Sequence, residues 1–156
     1  MKLHHLLSED MVISELEFQK REAVLEEMAH FLKQKNKISG EKELYDNLLQ
    51  REKLGSTAIG EGVAIPHCKM KGMASPLILL AVSRKGVRFE SADEKPTHVF
   101  FLVVSSPDQP SQNLQALAAI SHLVRQSNSL IKKILQAKNP KNLVTVIREE
   151  EEKLNE

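Results

Sequence analysis

One histidine stands out as suited to chemistry because it directly follows a proline at the end of a short apolar segment. The segment reads GEGVAIPHCK, residues 60–69, and the histidine is His67. Pro66 has a fixed φ and restricts Ile65 to extended conformations, so the chain should run straight up to His67. A neutral imidazole at a strand end can act as a nucleophile near neutral pH. Such a ring could accept a phosphoryl group through a nitrogen–phosphorus bond and pass it on.

Phosphoryl transfer to a histidine also needs positive charge against the phosphoryl oxygens. Arg51 is the candidate, because its forked guanidinium suits an anion with several oxygens and it lies just before Gly55-Ser56-Thr57. Its alternative role is that of a cation at a helix C-terminus, which the helix dipole favours by about 0.3–1 kcal/mol.

The other histidines and the single cysteine are interpreted as structural or surface residues. No two of them have the spacing of a metal-ligand pair, so neither a metal nor a cofactor is expected. Cys68 is adjacent to His67, but neighbouring side chains on a strand point to opposite faces, which argues against a Cys–His dyad. The residues concerned are His4, His5, His30, His98, His122 and Cys68.

Composition excludes several classes of partner. Lys and Arg number 22 against 21 Asp and Glu, so no basic surface for nucleic acid is expected. One cysteine fits a reducing compartment. The longest apolar stretches are far short of the ~20 residues that span a bilayer, and residues 1–7 lack the apolar core of a signal peptide. A cytoplasmic protein without direct membrane insertion is the expectation.

Helices are predicted at both ends of the chain. Apolar residues three or four apart predict an amphipathic helix of about four turns within residues 14–35. A second helix should follow Ser39 as its N-cap and end near Lys53, with Gly55 just beyond. A further helix is predicted from Asn113, with an apolar stripe at helical spacing that comprises Leu114, Leu117, Ala118, Ser121 and Val124. Two more are predicted over Leu130–Ala137 and from Pro140 to about Glu152.

The middle of the chain predicts strands. Two short β-favouring pieces, Thr57–Ile59 and Val63–Ile65, flank Gly60-Glu61-Gly62, the spacing of a tight connection. Longer apolar runs at Leu77–Val82 and His98–Val104 are typical of strands covered on both faces, and a short strand is predicted near Val87–Phe89. The prediction is therefore an α/β fold, a single-domain sandwich with a mixed β-sheet flanked by α-helices. The domain comprises residues 1–156, with its core at about 6–150 and a solvated, frayed acidic end at 149–156.

The stretch REKLGSTAIGEGVAIPHC, Arg51–Cys68, resembles the active-site signature of the fructose/mannitol class (type 2) of enzyme IIA in the phosphoenolpyruvate-dependent phosphotransferase system (PTS). The matching positions are Glu52, then Ile59-Gly60, then Val63-Ala64-Ile65-Pro66-His67 and a small residue, Cys68. Further matches extend over nearly the whole chain. LGST followed by AIPH resembles the stand-alone, nitrogen-regulatory branch in particular. The resemblance implies the enzyme IIA fold of that phosphotransferase family, in agreement with the predicted elements.

The resemblance also implies roles for individual residues. His67 would accept a phosphoryl group from an HPr-type carrier protein, and Arg51 would contact the phosphate. Ser56, Thr57 and Asn113 are candidate supporting residues. Family members often have a second histidine where this sequence has Asn113, which can donate a hydrogen bond but cannot supply an imidazolium charge.

The expected function is that of a regulatory phosphohistidine phosphocarrier, a phosphotransferase component of bacterial type. Two alternatives remain open. One is a IIA subunit of a fructose or hexitol transport system that passes phosphate to a IIB component. The other is a protein-binding regulatory module that has lost phosphotransfer. The expected partners are an HPr-type protein and either a IIB component or regulatory target proteins.

Overall fold

Six strands form one mixed sheet in the computed structural model, which describes residues 1–155. The strands are β1 (Val12–Ile13), β2 (Ala58–Gly60), β3 (Val63–Ala64), β4 (His67–Lys69), β5 (Leu77–Val87) and β6 (Thr97–Ser105). The two long apolar runs of the sequence become β5 and β6, the antiparallel pair at the centre of the sheet. The short strand predicted near Val87–Phe89 is not separate, because β5 continues through an irregularity after Val82 and ends at Val87.

The other edge of β6 carries two short strands in succession. β3 pairs with it in parallel at Val99 and Phe100, and β4 pairs with it in parallel from Val103 to Ser105. β2 then pairs antiparallel with β3, and β1 pairs in parallel with β5 at the opposite side of the sheet. This mixed pairing places β4, which begins with His67, beside the last residues of β6.

Five α-helices flank the sheet within the described residues. Two short 3₁₀ turns, Leu3–His5 and Glu9–Met11, precede β1. The helices are α1 (Arg21–Gln34), α2 (Glu41–Lys53), α3 (Pro110–Gln126), α4 (Leu130–Gln136) and α5 (Pro140–Lys153). The elements enclose one continuous core of buried aliphatic and aromatic side chains that extends from Leu3 to Ile147.

The predicted helices occur; α4 and α5 begin at Leu130 and Pro140 as predicted, and the first three helices have shifted starts. α1 has the expected four turns but begins at Arg21, and α2 is preceded by Gly40 rather than Ser39 in the N-cap position. α2 ends at Lys53 as predicted. α3 begins at Pro110, three residues before the predicted start, because proline fits the first turn of a helix.

The buried face of α3 differs from the predicted one. Apolar spacing pointed to a stripe that included Leu114, but the helix buries Ala116, Ile120 and Leu123. Leu114 is 66% exposed instead. Apolar residues lie on two neighbouring stripes of this helix, and periodicity alone cannot choose between them.

The connection from β2 to β3 explains the two glycines that precede the histidine. Gly60, Glu61 and Gly62 all have positive φ, at 88°, 55° and 81°. This conformation costs glycine least, and it turns the chain sharply enough for β2 and β3 to pair.

The acidic end of the chain is not frayed as the sequence suggested. α5 continues to Lys153, and Glu150 and Glu151 are buried, at 3% and 7% exposure. Glu151 accepts hydrogen bonds from the backbone N–H groups of Leu3 and His4 and pairs with the His4 ring. The prediction of a solvated end at 149–156 was therefore wrong for Glu150 and Glu151, because hydrogen-bond donors from elsewhere in the fold satisfy both carboxylates. Residue 156 lies outside the described part of the chain.

None of the helices in residues 1–155 combines the length and the apolar character that crossing a bilayer requires.

Candidate functional site

His67 is the first residue of β4 and is half-buried. Its backbone lies opposite Val103 in the parallel pairing with β6, and the Val103 N–H donates to the carbonyl of Pro66 at 2.9 Å. The ring is thus attached to a strand at the end of the sheet, with its approach fixed by a buried proline.

One ring nitrogen of His67 has a defined partner. Nδ1 lies 2.7 Å from the carbonyl oxygen of Ile65. A carbonyl oxygen can only accept, so Nδ1 carries the proton and donates it. In the neutral ring the lone pair then lies on Nε2. Nε2 is therefore the ring nitrogen that is able to act as a nucleophile.

Arg51 lies in the last turn of α2 and faces the same groove as His67. One terminal nitrogen, Nη1, donates to the carbonyl oxygen of Gly55 at 2.8 Å. This bond holds the guanidinium at the point where α2 ends, and the other N–H groups of the fork are available to an anion.

A groove of about 700 Å³ joins these two residues. The groove is bounded by the end of α2, by β4 and by the first turn of α3. A 3.3 Å hydrogen bond from Asn47 Nδ2 to the carbonyl of Lys69 connects α2 to β4. Among the described residues, the lining contains three basic side chains and no carboxylate. The lining residues are Asn47, Gln50, Arg51, Lys53, Leu54, His67, Cys68, Lys69 and Asn113.

Asn113, in the first turn of α3, also lines the groove. Its Oδ1 accepts a hydrogen bond from the Ser105 hydroxyl at 3.0 Å. The Nδ2 group is the donor that remains for the groove. The structure therefore places Asn113 in the same groove as His67 and Arg51. Its amide is neutral, whereas an imidazole at this position could add positive charge.

Ser56 and Thr57 lie outside the groove lining, although the sequence made them candidate supporting residues. The Ser56 hydroxyl donates to the Phe89 carbonyl at 3.1 Å and accepts from the Ala58 N–H. Thr57 is buried, and its hydroxyl donates to the Glu52 carboxylate. Both hydroxyls are used within the protein and shape the backbone beside the site.

Glu52 is the residue whose contacts sequence reasoning did not foresee. Its side chain is buried at 2% exposure, and its two oxygens accept from the backbone N–H and the hydroxyl of Thr57. The sequence held two signals. Glu52 is one of the matching positions of the signature within Arg51–Cys68. It is also a carboxylate in the last turn of a helix, where the helix dipole disfavours negative charge.

Cys68 lines the groove and packs against the core. Burial raises the pKa of its thiol to about 12, so the thiol keeps its proton at neutral pH and is a poor nucleophile. This agrees with its interpretation as a packed residue. His98 is likewise structural, because its Nδ1 donates to the Ser83 carbonyl at 2.8 Å.

Within residues 1–155, no cluster of three or more His, Cys, Asp and Glu side chains has a geometry that could hold a metal ion.

Comparison with known proteins identifies relatives over almost the whole chain. The chain is 30% identical over 149 residues to the nitrogen regulatory protein of Bradyrhizobium diazoefficiens, an alignment that covers 94% of this chain and 95% of the relative. It is also 30% identical over 149 residues to the fructose-specific EIIABC component of the PTS from Bacillus subtilis, with 96% of this chain covered. The chain spans only 23% of the length of that second relative.

A solved structure shares the fold. The crystal structure of the nitrogen regulatory protein IIA-Ntr from Neisseria meningitidis superposes with a TM-score of 0.83 at 23% sequence identity, covering 93% of this chain and 98% of that one. The family model described as "Phosphoenolpyruvate-dependent sugar phosphotransferase system, EIIA 2" matches residues 5–150. This match spans the sheet, the groove and most of α5, and the chain therefore belongs to the EIIA 2 family of the phosphoenolpyruvate-dependent sugar phosphotransferase system.

Proposed function

We propose that this protein is a phosphohistidine phosphocarrier in which Nε2 of His67 accepts a phosphoryl group from the phosphohistidine of an HPr-type protein. The observation that carries the proposal is the 2.7 Å hydrogen bond from His67 Nδ1 to the Ile65 carbonyl. It leaves the lone pair on Nε2, in a ring that lines a groove with three basic side chains.

The transfer balances without moving a proton. The lone pair of Nε2 forms the new N–P bond, and the donor imidazole leaves with the electron pair of the bond that breaks. The His67 ring then holds a proton on Nδ1 and a phosphoryl group on Nε2, and so carries positive charge. Its hydrogen bond to the Ile65 carbonyl becomes charge-assisted, which stabilises the phosphorylated form.

The groove supplies the electrostatic part of the reaction. Phosphoryl transfer depends mainly on positioning and on neutralising the phosphoryl oxygens. Arg51 can offer the free part of its fork to two oxygens, and Lys53 and Lys69 add positive potential around the groove.

Exposed apolar residues beside the groove favour a protein as the donor. Leu54 lines the groove and is 86% exposed, and Leu114, one residue after Asn113, is 66% exposed. Large apolar side chains that are exposed beside polar residues are a feature of surfaces that bind another protein. A small phosphorylated metabolite would not need them.

The regulatory role is part of the same proposal. It is supported by the nitrogen regulatory protein that this chain matches over 95% of the relative's length. The phosphorylation state would then change which target proteins bind, in the cytoplasm. The equal identity to a fructose-specific EIIABC component favours, as a second candidate, a IIA subunit that passes phosphate to a fructose or hexitol IIB component.

The test is reconstitution from purified components. Incubation with phosphoenolpyruvate, enzyme I and HPr should add one acid-labile phosphoryl group per chain, detected by intact mass. His67→Ala should abolish the gain, and Arg51→Ala should slow it by about a hundredfold, the usual effect of removing one donor to a developing charge. His122→Ala is the matched control, because His122 is exposed on α3 and lies outside the groove lining.

The outcomes separate the candidates. Uptake that persists in His67→Ala would show that another residue is phosphorylated. Wild-type protein that takes up no phosphate would overturn the carrier proposal and favour the protein-binding module, for which Asn113 is the supporting feature. Onward transfer to an isolated fructose or hexitol IIB component would favour the transport role over the regulatory one.

A further inference from the structure

We propose that Glu52 and Thr57 are positioning residues that hold Arg51 and His67 in fixed relation to each other through one hydrogen-bond network. The proposal concerns the reacting geometry and rests on the proposed phosphocarrier function. Neither residue lines the groove, so neither is a catalytic residue in the strict sense.

The centre of the network is the pairing of Glu52 with Thr57. Glu52 Oε1 accepts from the Thr57 backbone N–H at 2.9 Å, and Oε2 accepts from the Thr57 hydroxyl. Both residues are buried, at 2% and 6% exposure. With water excluded, loss of one partner would leave polar groups unsatisfied, so the pairing is strongly favoured.

One branch of the network leads to Arg51. The pairing closes the chain between residues 52 and 57 into a loop, within which the Gly55 N–H donates to the Glu52 carbonyl at 3.1 Å. The Gly55 carbonyl then accepts from Arg51 Nη1 at 2.8 Å. The closed loop therefore fixes the acceptor that orients the guanidinium.

The other branch leads to His67. The Thr57 carbonyl accepts from the Ile65 N–H at 3.0 Å. The carbonyl of the same Ile65 accepts from His67 Nδ1 at 2.7 Å. Thr57 thus uses its hydroxyl and N–H to bind Glu52, and its carbonyl to bind the residue that orients the histidine.

Helix stability does not account for a carboxylate at this position. Glu52 lies in the last turn of α2, where the helix dipole disfavours negative charge, and its burial adds a desolvation cost. Two donors from a single residue compensate for that cost. What the Glu52–Thr57 pairing contributes is therefore a fixed loop geometry, which orients both Arg51 and His67.

Four variants test the network. Glu52→Ala removes both bonds to Thr57. Glu52→Gln keeps an acceptor for the Thr57 N–H and places an amide against the hydroxyl, which can accept as well as donate. Thr57→Val removes only the hydroxyl, and Thr57→Ser keeps it.

The first measurement needs no phosphoryl donor. Heteronuclear NMR of the His67 ring distinguishes the protonated nitrogen from the one with a lone pair. Wild type, Glu52→Gln and Thr57→Ser should show a single tautomer with the proton on Nδ1. Glu52→Ala should show a mixture of both tautomers, and Thr57→Val a smaller change in the same direction.

The second measurement is the initial rate of phosphoryl uptake from phosphorylated HPr. Glu52→Ala should lower kcat by between about tenfold and a hundredfold, since misplacement of about 1 Å can cost that much. KM for HPr should rise by a smaller factor than kcat falls, because no side chain of the docking surface is replaced, although Leu54 lies on the loop that the Glu52–Thr57 pairing closes. Glu52→Gln and Thr57→Ser should stay within about threefold of wild type, as expected when hydrogen bonds are preserved.

Glu150→Ala is the matched control for losing a buried glutamate. Glu150 is 3% exposed, on α5, and its partners are Ser127, Ser129, Lys133 and Lys153, none of which lines the groove. Measured well below its melting temperature, it should keep the wild-type tautomer and rate.

The results distinguish failure of this inference from failure of the proposed function. If wild type takes up no phosphate, the proposed function is wrong, and the tautomer measurement still tests whether the hydrogen-bond network orients His67. If wild type is phosphorylated and a folded Glu52→Ala keeps both the tautomer and kcat, the network inference is overturned. Should Glu52→Ala not fold, Thr57→Val replaces it, and a wild-type tautomer and rate in that variant would equally overturn the inference.

Discussion

Replacement of Glu150 by alanine should destabilise the protein strongly, although the sequence places this residue in an acidic run. The carboxylate is 3% exposed and accepts from the hydroxyls of Ser127 and Ser129 at 2.8 and 2.7 Å. It also accepts from Lys133 and Lys153 at 2.9 and 2.8 Å. The same group thereby ties α5 to α4 and to the segment before α4.

The size of the effect follows from these contacts. Each hydroxyl bond to the charged group is worth about 1.5 kcal/mol or more, whereas the two lysines, 39% and 55% exposed, regain water and add little. The sum is about 3–5 kcal/mol, the range found when a buried ion pair loses one partner. At about 2–4 °C per kcal/mol for a chain of this length, the melting temperature should fall by about 10 °C.

The pH dependence provides an independent check. Hydrogen bonds from Lys153, and then from Lys133, Ser129 and Ser127, hold the pKa of Glu150 far below its ordinary 4.5, against the opposing effect of burial. A carboxylate whose pKa is lower in the folded state than in the unfolded state stabilises the fold at pH values above its unfolded-state pKa. This stabilisation is lost as the pH falls through the folded-state pKa. The stability difference between wild type and Glu150→Gln should therefore be full at pH 7 and shrink below about pH 4.5.

The assay is thermal and urea unfolding followed by circular dichroism between pH 3 and pH 7. Glu149→Ala is the control, because Glu149 is the exposed neighbour on the same helix and should change stability by less than about 0.5 kcal/mol. A melting temperature of Glu150→Ala within 3 °C of wild type at pH 7 would refute the reasoning. So would a difference between wild type and Glu150→Gln that does not vary with pH.

Three further predictions concern the groove. Cys68 should react only slowly with a thiol reagent at pH 8 in the folded protein, because burial raises its pKa to about 12, and rapid stoichiometric labelling would contradict this. Leu54→Asp and Leu114→Asp should each raise KM for HPr by about tenfold in steady-state uptake assays. Ile59→Asp is the control, because Ile59 is exposed but lies outside the groove lining, and it should leave KM unchanged. Equal effects at all three positions would argue against a docking surface. Asn113→His should shift the phosphoryl equilibrium with HPr towards this protein by about tenfold at pH 6, because the added imidazole is charged there. The assay is phosphorus NMR, and an unchanged distribution of the phosphoryl group between the two proteins would contradict the prediction.

Local patterns in the sequence were sufficient for most of the elements. The apolar runs that became β5 and β6 have no interruption, and strands of this kind are recognisable without knowledge of their partners. The predicted starts of α1, α2 and α3 were less accurate; Gly40, for example, precedes α2 without a side-chain cap. Local capping preference is a weak effect that tertiary packing can override.

The groove was partly predictable because His67 and Arg51 lie in one short stretch with recognisable residue types. The role of Glu52 was not, since its partner Thr57 shows no distinctive spacing and the pairing depends on burial. Glu150 and Glu151 illustrate the same limit. A run of four glutamates favours a solvated end, and only the folded chain brings donors to two of them.

The hydrogen bonds that orient the two candidate side chains, His67 and Arg51, are all made within residues 51–67. Their arrangement is thus encoded locally, although the groove also needs α3 and the end of β6. Insertions or replacements in a distant loop, such as residues 127–129, can therefore alter surface and stability without disturbing the geometry of the candidate site. This separation leaves the rest of the molecular surface free to diverge between family members while the candidate site keeps its geometry.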